Sequence, residues 1–116
     1  MNVEVLLVLT NLPDRASAQR VADALIESRT AACVNILAEC NSVYRWQGRI
    51  ETASEIPLLI KTTRAAYARL EATIRAHHPY ELPEIVAVPV DVGFPGYLQW
   101  VAQETQTPET MRQARE

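Results

Sequence analysis

His77 and His78 are the residues in this chain best suited to bind a metal. Imidazole nitrogens are borderline ligands for copper(II), zinc or nickel, and copper(II) leads the affinity order among them. Adjacent side chains on a helix point about 100° apart, so a shared ion needs a further ligand such as Glu81 or a histidine from another copy of the chain. A plainer reading is that His78 ends a helix and donates to a carbonyl there. Two imidazoles and a carboxylate imply modest copper(II) binding, about micromolar, lost as the histidines protonate. Cys33 sits among Ala32, Val34 and Ile36 and is expected in the core, whereas Cys40 precedes Asn41-Ser42 and is expected to be more exposed. Seven positions separate these two cysteines, which is neither a C-x-x-C redox motif nor a secreted disulfide framework. Glu55, Lys61, Glu81 and Glu84 place charges around otherwise apolar strand ends. Tyr44, Trp46 and Trp100 are aromatics able to line a pocket or anchor an interface, and Trp46, next to a hairpin tip, suits the anchor role.

The elements that must carry these residues follow from hydrophobic periodicity. Val3 to Thr10 is a nearly continuous apolar run, which predicts a buried strand. Asn11-Leu12-Pro13-Asp14 follows as a turn, with Asp14 as the cap of the first helix. Ala18, Val21, Ala22 and Leu25, with Ile26 widening the stripe, set that helix over 15–29. Ala31 to Trp46 reads as one long, irregular strand. Gln47-Gly48 turns it into a return strand that ends at Lys61, and Pro57 predicts a bulge or an unpaired stretch within that strand. Thr62 or Thr63 caps a second helix carrying Tyr67, Leu70 and Ile74 on one stripe, and Pro79 stops it. Glu84 to Asp91 is the last strand, with Pro89 placing it at an edge. Tyr97, Trp100 and Val101 outline a short third helix.

The order β-α-β-β-α-β defines an α+β fold. It is the ferredoxin-like antiparallel sheet, here with a long hairpin joining its second and third strands and a short C-terminal helix. One domain spans 1–104, and 105–116 reads as a polar, frayed tail. Both the first and last strands are apolar on both faces, where a sheet with one wet face should alternate. A third helix is too small to cover the second face, so further copies of the chain are expected to cover it.

The 116 residues include 11 Lys and Arg against 14 Asp and Glu, a net charge of −3. No basic excess exists to neutralise a phosphate backbone, so nucleic acid is not an expected partner. Nor is a membrane, since no apolar run approaches the ~18 residues of a spanning helix and no signal peptide is evident. Other ferredoxin-like activities lack their motifs. There is no C-x-x-C loop after the first strand for soft metals, and no glycine-rich anion loop for acyl phosphate hydrolysis. The sheet face also lacks the aromatics that stack RNA bases.

Four stretches together are similar to the CutA family of divalent-cation tolerance proteins: Ala31-Ala32-Cys33-Val34-Asn35-Ile36, Tyr44-Arg45-Trp46-Gln47-Gly48-Arg49-Ile50-Glu51, Ile60-Lys61-Thr62, and His78-Pro79-Tyr80-Glu81-Leu82-Pro83-Glu84-Ile85. The resemblance implies a ferredoxin-like subunit in a compact, PII-like homotrimer, cytoplasmic and without enzymatic activity. It also implies a link to divalent-metal tolerance, copper above all. It places Lys61, Tyr80, Glu81 and Glu84 near the clefts between subunits. There they would form an anion, small-molecule or catalytic site, or else interfacial ion pairs that set the trimer's register. The chain departs from the family pattern at Thr30, where leucine is usual, and at Pro57. It also departs at Leu9, where some relatives carry a cysteine able to join the histidines in binding copper.

Overall fold

The structure is a computed structural model, and it describes residues 3–107. Five antiparallel strands and three helices follow in the order β1 (Val5–Leu12), α1 (Arg15–Glu27), β2 (Cys33–Ile36), β3 (Cys40–Trp46), β4 (Arg49–Thr63), α2 (Arg64–His77), β5 (Val86–Pro89) and α3 (Pro95–Glu104). The sheet order is β2-β4-β1-β5, with β3 also paired to β4. With β2 and β3 counted as one interrupted strand, this is the ferredoxin-like arrangement expected from the element order.

Alternation along β1 and β4 decides what the helices cover. Leu6, Val8, Leu12, Leu58 and Ile60 are buried with Val21 and Leu25 of α1 and Leu70 and Ile74 of α2. Asp14 caps α1 by accepting the Ser17 N–H at 2.7 Å. That bond, reinforced by the Ser17 side chain, lowers the Asp14 carboxyl below its ordinary value. Of the two candidate caps for α2, Thr63 takes the role, accepting the Ala66 N–H at 3.2 Å. Ile26 lies outside the α1 stripe and stays exposed. Gln47 and Gly48 both adopt positive φ, at 50° and 80°, as the two-residue turn between the paired Trp46 and Arg49 requires.

The long second strand is in fact two. Ile36 pairs with Leu58 and Cys40 with Glu55, so four steps on one side match three on the other. The extra residue is a bulge opposite Pro57, whose carbonyl accepts the Leu37 N–H at 2.9 Å. Pro57 cannot donate in return, so the ladder breaks there. β1 runs on to Leu12, which shortens the predicted turn, and β4 runs on to Thr63. β5 is shorter than predicted and leaves Glu84 and Ile85 in the preceding loop, while Pro89 closes this edge strand as expected.

The polar end of the chain is packed as far as it is described. Thr105 is buried, and its hydroxyl donates to the Val101 carbonyl at 2.9 Å. Arg29 Nε–H donates to the Gln106 carbonyl at 2.8 Å. Residues 105 and 106 are therefore not frayed: Thr105 bonds within its own helix turn, and the Gln106 carbonyl is held by Arg29 from the end of α1. Residues 108–116 of the predicted tail lie outside the described residues.

Thr10 is fully buried, faces the helices beside Val8 and Leu12, and its hydroxyl has no partner among the described residues. An unsatisfied buried hydroxyl costs about 1–3 kcal/mol. Thr10→Val keeps the branched shape without that cost and should raise stability by about 1 kcal/mol in chemical denaturation. A lower midpoint would show that the hydroxyl is satisfied in solution.

α3 covers only one end of the sheet's other face. Val101 is buried, and Thr105 approaches Thr63 at 3.5 Å. Beyond α3, Leu9, Val86 and Val88 remain 36%, 49% and 50% exposed, beside half-buried Leu7 and Leu59. Cross-strand pairing of Leu9 with both Leu59 and Val86, and of Leu7 with Val88, makes these five side chains one apolar strip.

Candidate functional site

Where α2 ends, a short chain of hydrogen bonds organises the following loop. His78 caps the helix, its backbone N–H donating to the Ile74 carbonyl at 2.8 Å. Its ring is buried. Nε2–H donates to the Asn11 carbonyl at 2.7 Å, and Nδ1 accepts the Tyr80 N–H at 3.1 Å. A carbonyl can only accept and a backbone N–H can only donate, so the imidazole is neutral with its proton on Nε2. Burial disfavours the imidazolium and lowers the His78 pKa, partly opposed by the Asn11 bond and the Glu55 carboxylate.

Tyr80 extends the chain. Its ring lies 4.9 Å from that of His78, and its hydroxyl donates to Glu55 Oε2 at 3.0 Å. Desolvation first, and the bond to Glu55 second, push the phenol up to about 12, so it stays neutral and donating. Glu55 enters from β4, next to the break between β2 and β3, and is 8% exposed.

Tyr80 and Glu55 line a cleft of about 710 Å³ between the 79–84 loop and the β3–β4 hairpin. Its walls include Asn11, Ser42, Tyr44, Trp46, Glu81 and Glu84. The size lies within the range of small-ligand sites. Tyr80, Glu81 and Glu84 line this one cleft within the chain, with Tyr44 and Trp46 also among its walls.

Lys61 does not. It lies six residues along β4 from Glu55, about 20 Å at strand rise, and contacts the Asn35 side-chain oxygen instead. Lys61 is not among the residues that line this cleft. Glu55, noted in the sequence only as a strand-end charge, is the buried centre of the site. Its partner Tyr80 stands 25 positions away, and no local signal links the two.

The histidines do not form a chelating pair within the chain. Both nitrogens of His78 are engaged, whereas His77 is exposed and its Nδ1–H donates to the Thr73 carbonyl at 2.9 Å. Only His77 Nε2 is left to take an ion without breaking a bond. No group of three His, Cys, Asp or Glu side chains among the described residues is placed to hold one metal ion. Cys33, expected in the core, is half-exposed on the sheet's second face with its Sγ 4.0 Å from Asn35 Oδ1, because it pairs across the strand with Lys61 rather than facing the helices. Cys40 is also a free, half-exposed thiol.

A ferredoxin-like α+β domain with an open, carboxylate- and aromatic-lined cleft is the class that fold and site define. Residues 6–104 match the family model of the CutA1 divalent ion tolerance protein, and the chain belongs to that family. It is 44% identical over 99 residues to the divalent-cation tolerance protein CutA of Thermus thermophilus, covering 85% of this chain and 96% of that one. It is 42% identical over 95 residues to protein CutA of Mus musculus, covering 82% of this chain but 54% of the relative, so it spans about half of the mouse protein. The crystal structure of CutA from Xylella fastidiosa superposes with a TM-score of 0.86 at 45% identity, over 88% of this chain and 98% of that one.

Proposed function

We propose that this CutA family member works as a non-catalytic homotrimer in the cytoplasmic response to divalent cations, binding copper(II) weakly through His77. The observation that carries the assembly is the apolar strip of Leu7, Leu9, Leu59, Val86 and Val88, left bare where α3 ends. Covering a valine or leucine there is worth about 1.5–3 kcal/mol, so a few per subunit suffice to drive association. Two sheet edges, β5 on one side and β2 with β3 on the other, suit head-to-tail contacts that close into a ring. The free thiols Cys33 and Cys40 agree with a reducing compartment.

Folding and assembly are then coupled. The denaturation midpoint should rise with protein concentration over a hundredfold range of reversible unfolding. A midpoint that stays fixed would mean that assembly adds no stability to the fold and that the strip does not drive it.

Copper(II) needs its own test. With His78 committed to Asn11 and Tyr80, one imidazole per chain remains, so strong binding requires ligands from several subunits. Calorimetry should show affinity falling about tenfold or more in His77→Ala. Equal affinity in both proteins would move the site elsewhere.

A second reading is favoured by the cleft itself. Enclosing about 710 Å³ among Tyr44, Trp46, Glu55, Tyr80, Glu81 and Glu84, it suits a small-molecule ligand whether or not a metal binds at His77.

A further inference from the structure

Among the described residues, four of the five most exposed large apolar side chains fall into two patches. Val43 and Ile50, 69% and 70% exposed, lie on the β3–β4 arm. Arg45 pairs with Ile50 and Val43 with Thr52, so alternation sets Val43, Arg45 and Ile50 on one face, opposite Tyr44 and Trp46. A two-stranded arm gains little stability by itself in water, and here both its faces carry apolar side chains.

The second patch is the loop after β5, where Val92 and Phe94 are 83% and 77% exposed and Asp91 adjoins them. The Phe94 ring packs over Gly96, where an added Cβ would come 3.0 Å from it, and Gly93 sits against Leu98 in the same way at 3.1 Å. Both glycines let the loop close tightly on the start of α3 and hold the ring in its exposed position. A side chain fixed before contact loses little freedom on contact. Neither Arg45 nor Asp91 has an ion-pair partner among the described residues, where Arg64 and Glu4 form a salt bridge with each other.

The two patches cannot meet within one chain. Pro89, at the end of β5, pairs with Leu6, which pairs in turn with Thr62. Thr62 and Ile50 are twelve residues apart on β4, about 40 Å at strand rise. Resting on the homotrimer reading, we infer that the arm of one copy docks on the loop after β5 of the next, Val43 and Ile50 packing against Val92 and Phe94 while Arg45 pairs with Asp91. Two aliphatic side chains with an arginine meet a valine and a phenylalanine with an aspartate, so the patches match in apolar character and in charge. Because the patches differ, each copy gives one arm and receives one, and three such contacts close a ring.

Cross-linking tests the contact. Cys33→Ser/Cys40→Ser removes the two free thiols. In that background Ile50→Cys and Val92→Cys, together in one chain, should form intermolecular disulfides under oxidised glutathione, with covalent trimer as the largest product. Either new cysteine alone should give no covalent product, since a heterologous contact never brings two copies of one position together. Arg45→Asp and Asp91→Arg should each raise the concentration at which the assembly dissociates about tenfold, and the two together should restore it. This charge exchange needs no change of thiols, so it decides the matter if the serine background fails to fold. Covalent dimer from Ile50→Cys alone would overturn the contact by showing that like patches meet. Trimers in light scattering that neither cross-link nor recover in the exchanged pair would overturn the contact and leave the homotrimer. A wild-type monomer would overturn both.

Discussion

Leu9→Glu should convert the assembled protein into folded 13.0 kDa subunits at micromolar concentration. Leu9 lies in the middle of β1 on the face that α3 leaves open, between Leu59 on one side and Val86 on the other. In an isolated subunit that position is already 36% exposed, so a glutamate there meets water and costs the fold little. In an assembly it would lose about 2 kcal/mol of apolar burial per chain and bury a carboxylate against hydrocarbon as well. In the proposed ring of three copies the loss would reach about 6 kcal/mol before the charge is counted. Sedimentation should show one light species with unchanged circular dichroism. An assembly of unaltered mass would place the interface elsewhere. The same substitution should leave the cleft intact, because Leu9 is not among its lining residues.

A second large effect is expected at His78. His78→Ala strands the Asn11 carbonyl and the Tyr80 N–H together, which should cost about 2–3 kcal/mol. Its pH dependence follows from the lowered pKa. The unfolded chain takes up a proton near pH 6.5 while the folded chain resists it, so the unfolded state binds more protons below that pH. The stability this histidine contributes is complete above about 6.5 and declines as pH falls toward its folded value. Protonation is opposed first by burial of the ring, and Nδ1 already accepts the Tyr80 N–H, although the Asn11 bond and Glu55 partly favour the charged ring. Glu4 and Asp14, whose carboxyls are lowered by Arg64 and by Ser17, lose their contributions only below their ordinary values of 4.5 and 3.8. Between pH 6.5 and about 5 the wild-type denaturation midpoint should therefore fall more steeply than that of His78→Ala. Parallel curves would mean that His78 titrates alike in the folded and unfolded chain.

The architecture was readable in the sequence because its periodicities are strong. Unbroken apolar runs marked β1, and stripes through Leu25 and Leu70 marked the helices. Asp14 was recognisable as a cap by residue type and position, and Pro89 announced an edge strand. What stayed hidden depended on partners distant in sequence. Pro57 announced an interruption of its own strand, but not that the facing strand would divide into β2 and β3, because the residues at that break have no unusual composition. Thr105 reads as tail because threonine is polar, yet its hydroxyl is satisfied within its own helix turn and the residue packs inside. Cys33 followed its apolar neighbours into a predicted core, but cross-strand pairing with Lys61 turned it to the other face.

The candidate site divided in the same way. Tyr80, Glu81 and Glu84 lie together because they follow one another in a loop that Pro79 starts. Glu55 joins them through the pairing of β4 with β1, which sets it beside the Asn11 end of β1 to which His78 is bonded, and Lys61, on the same strand, is carried away from them. His77 and His78 look equivalent in sequence. Helix termination separates them, since His78 turns inward to Asn11 while His77 remains on the surface.

Association of this chain is tested most directly by light scattering during size exclusion of the purified protein at micromolar concentration. Burial of the strip formed by Leu9, Leu59, Val86 and Val88 in a closed ring predicts about three times the subunit mass of 13.0 kDa. A stable monomer of that single mass would contradict it.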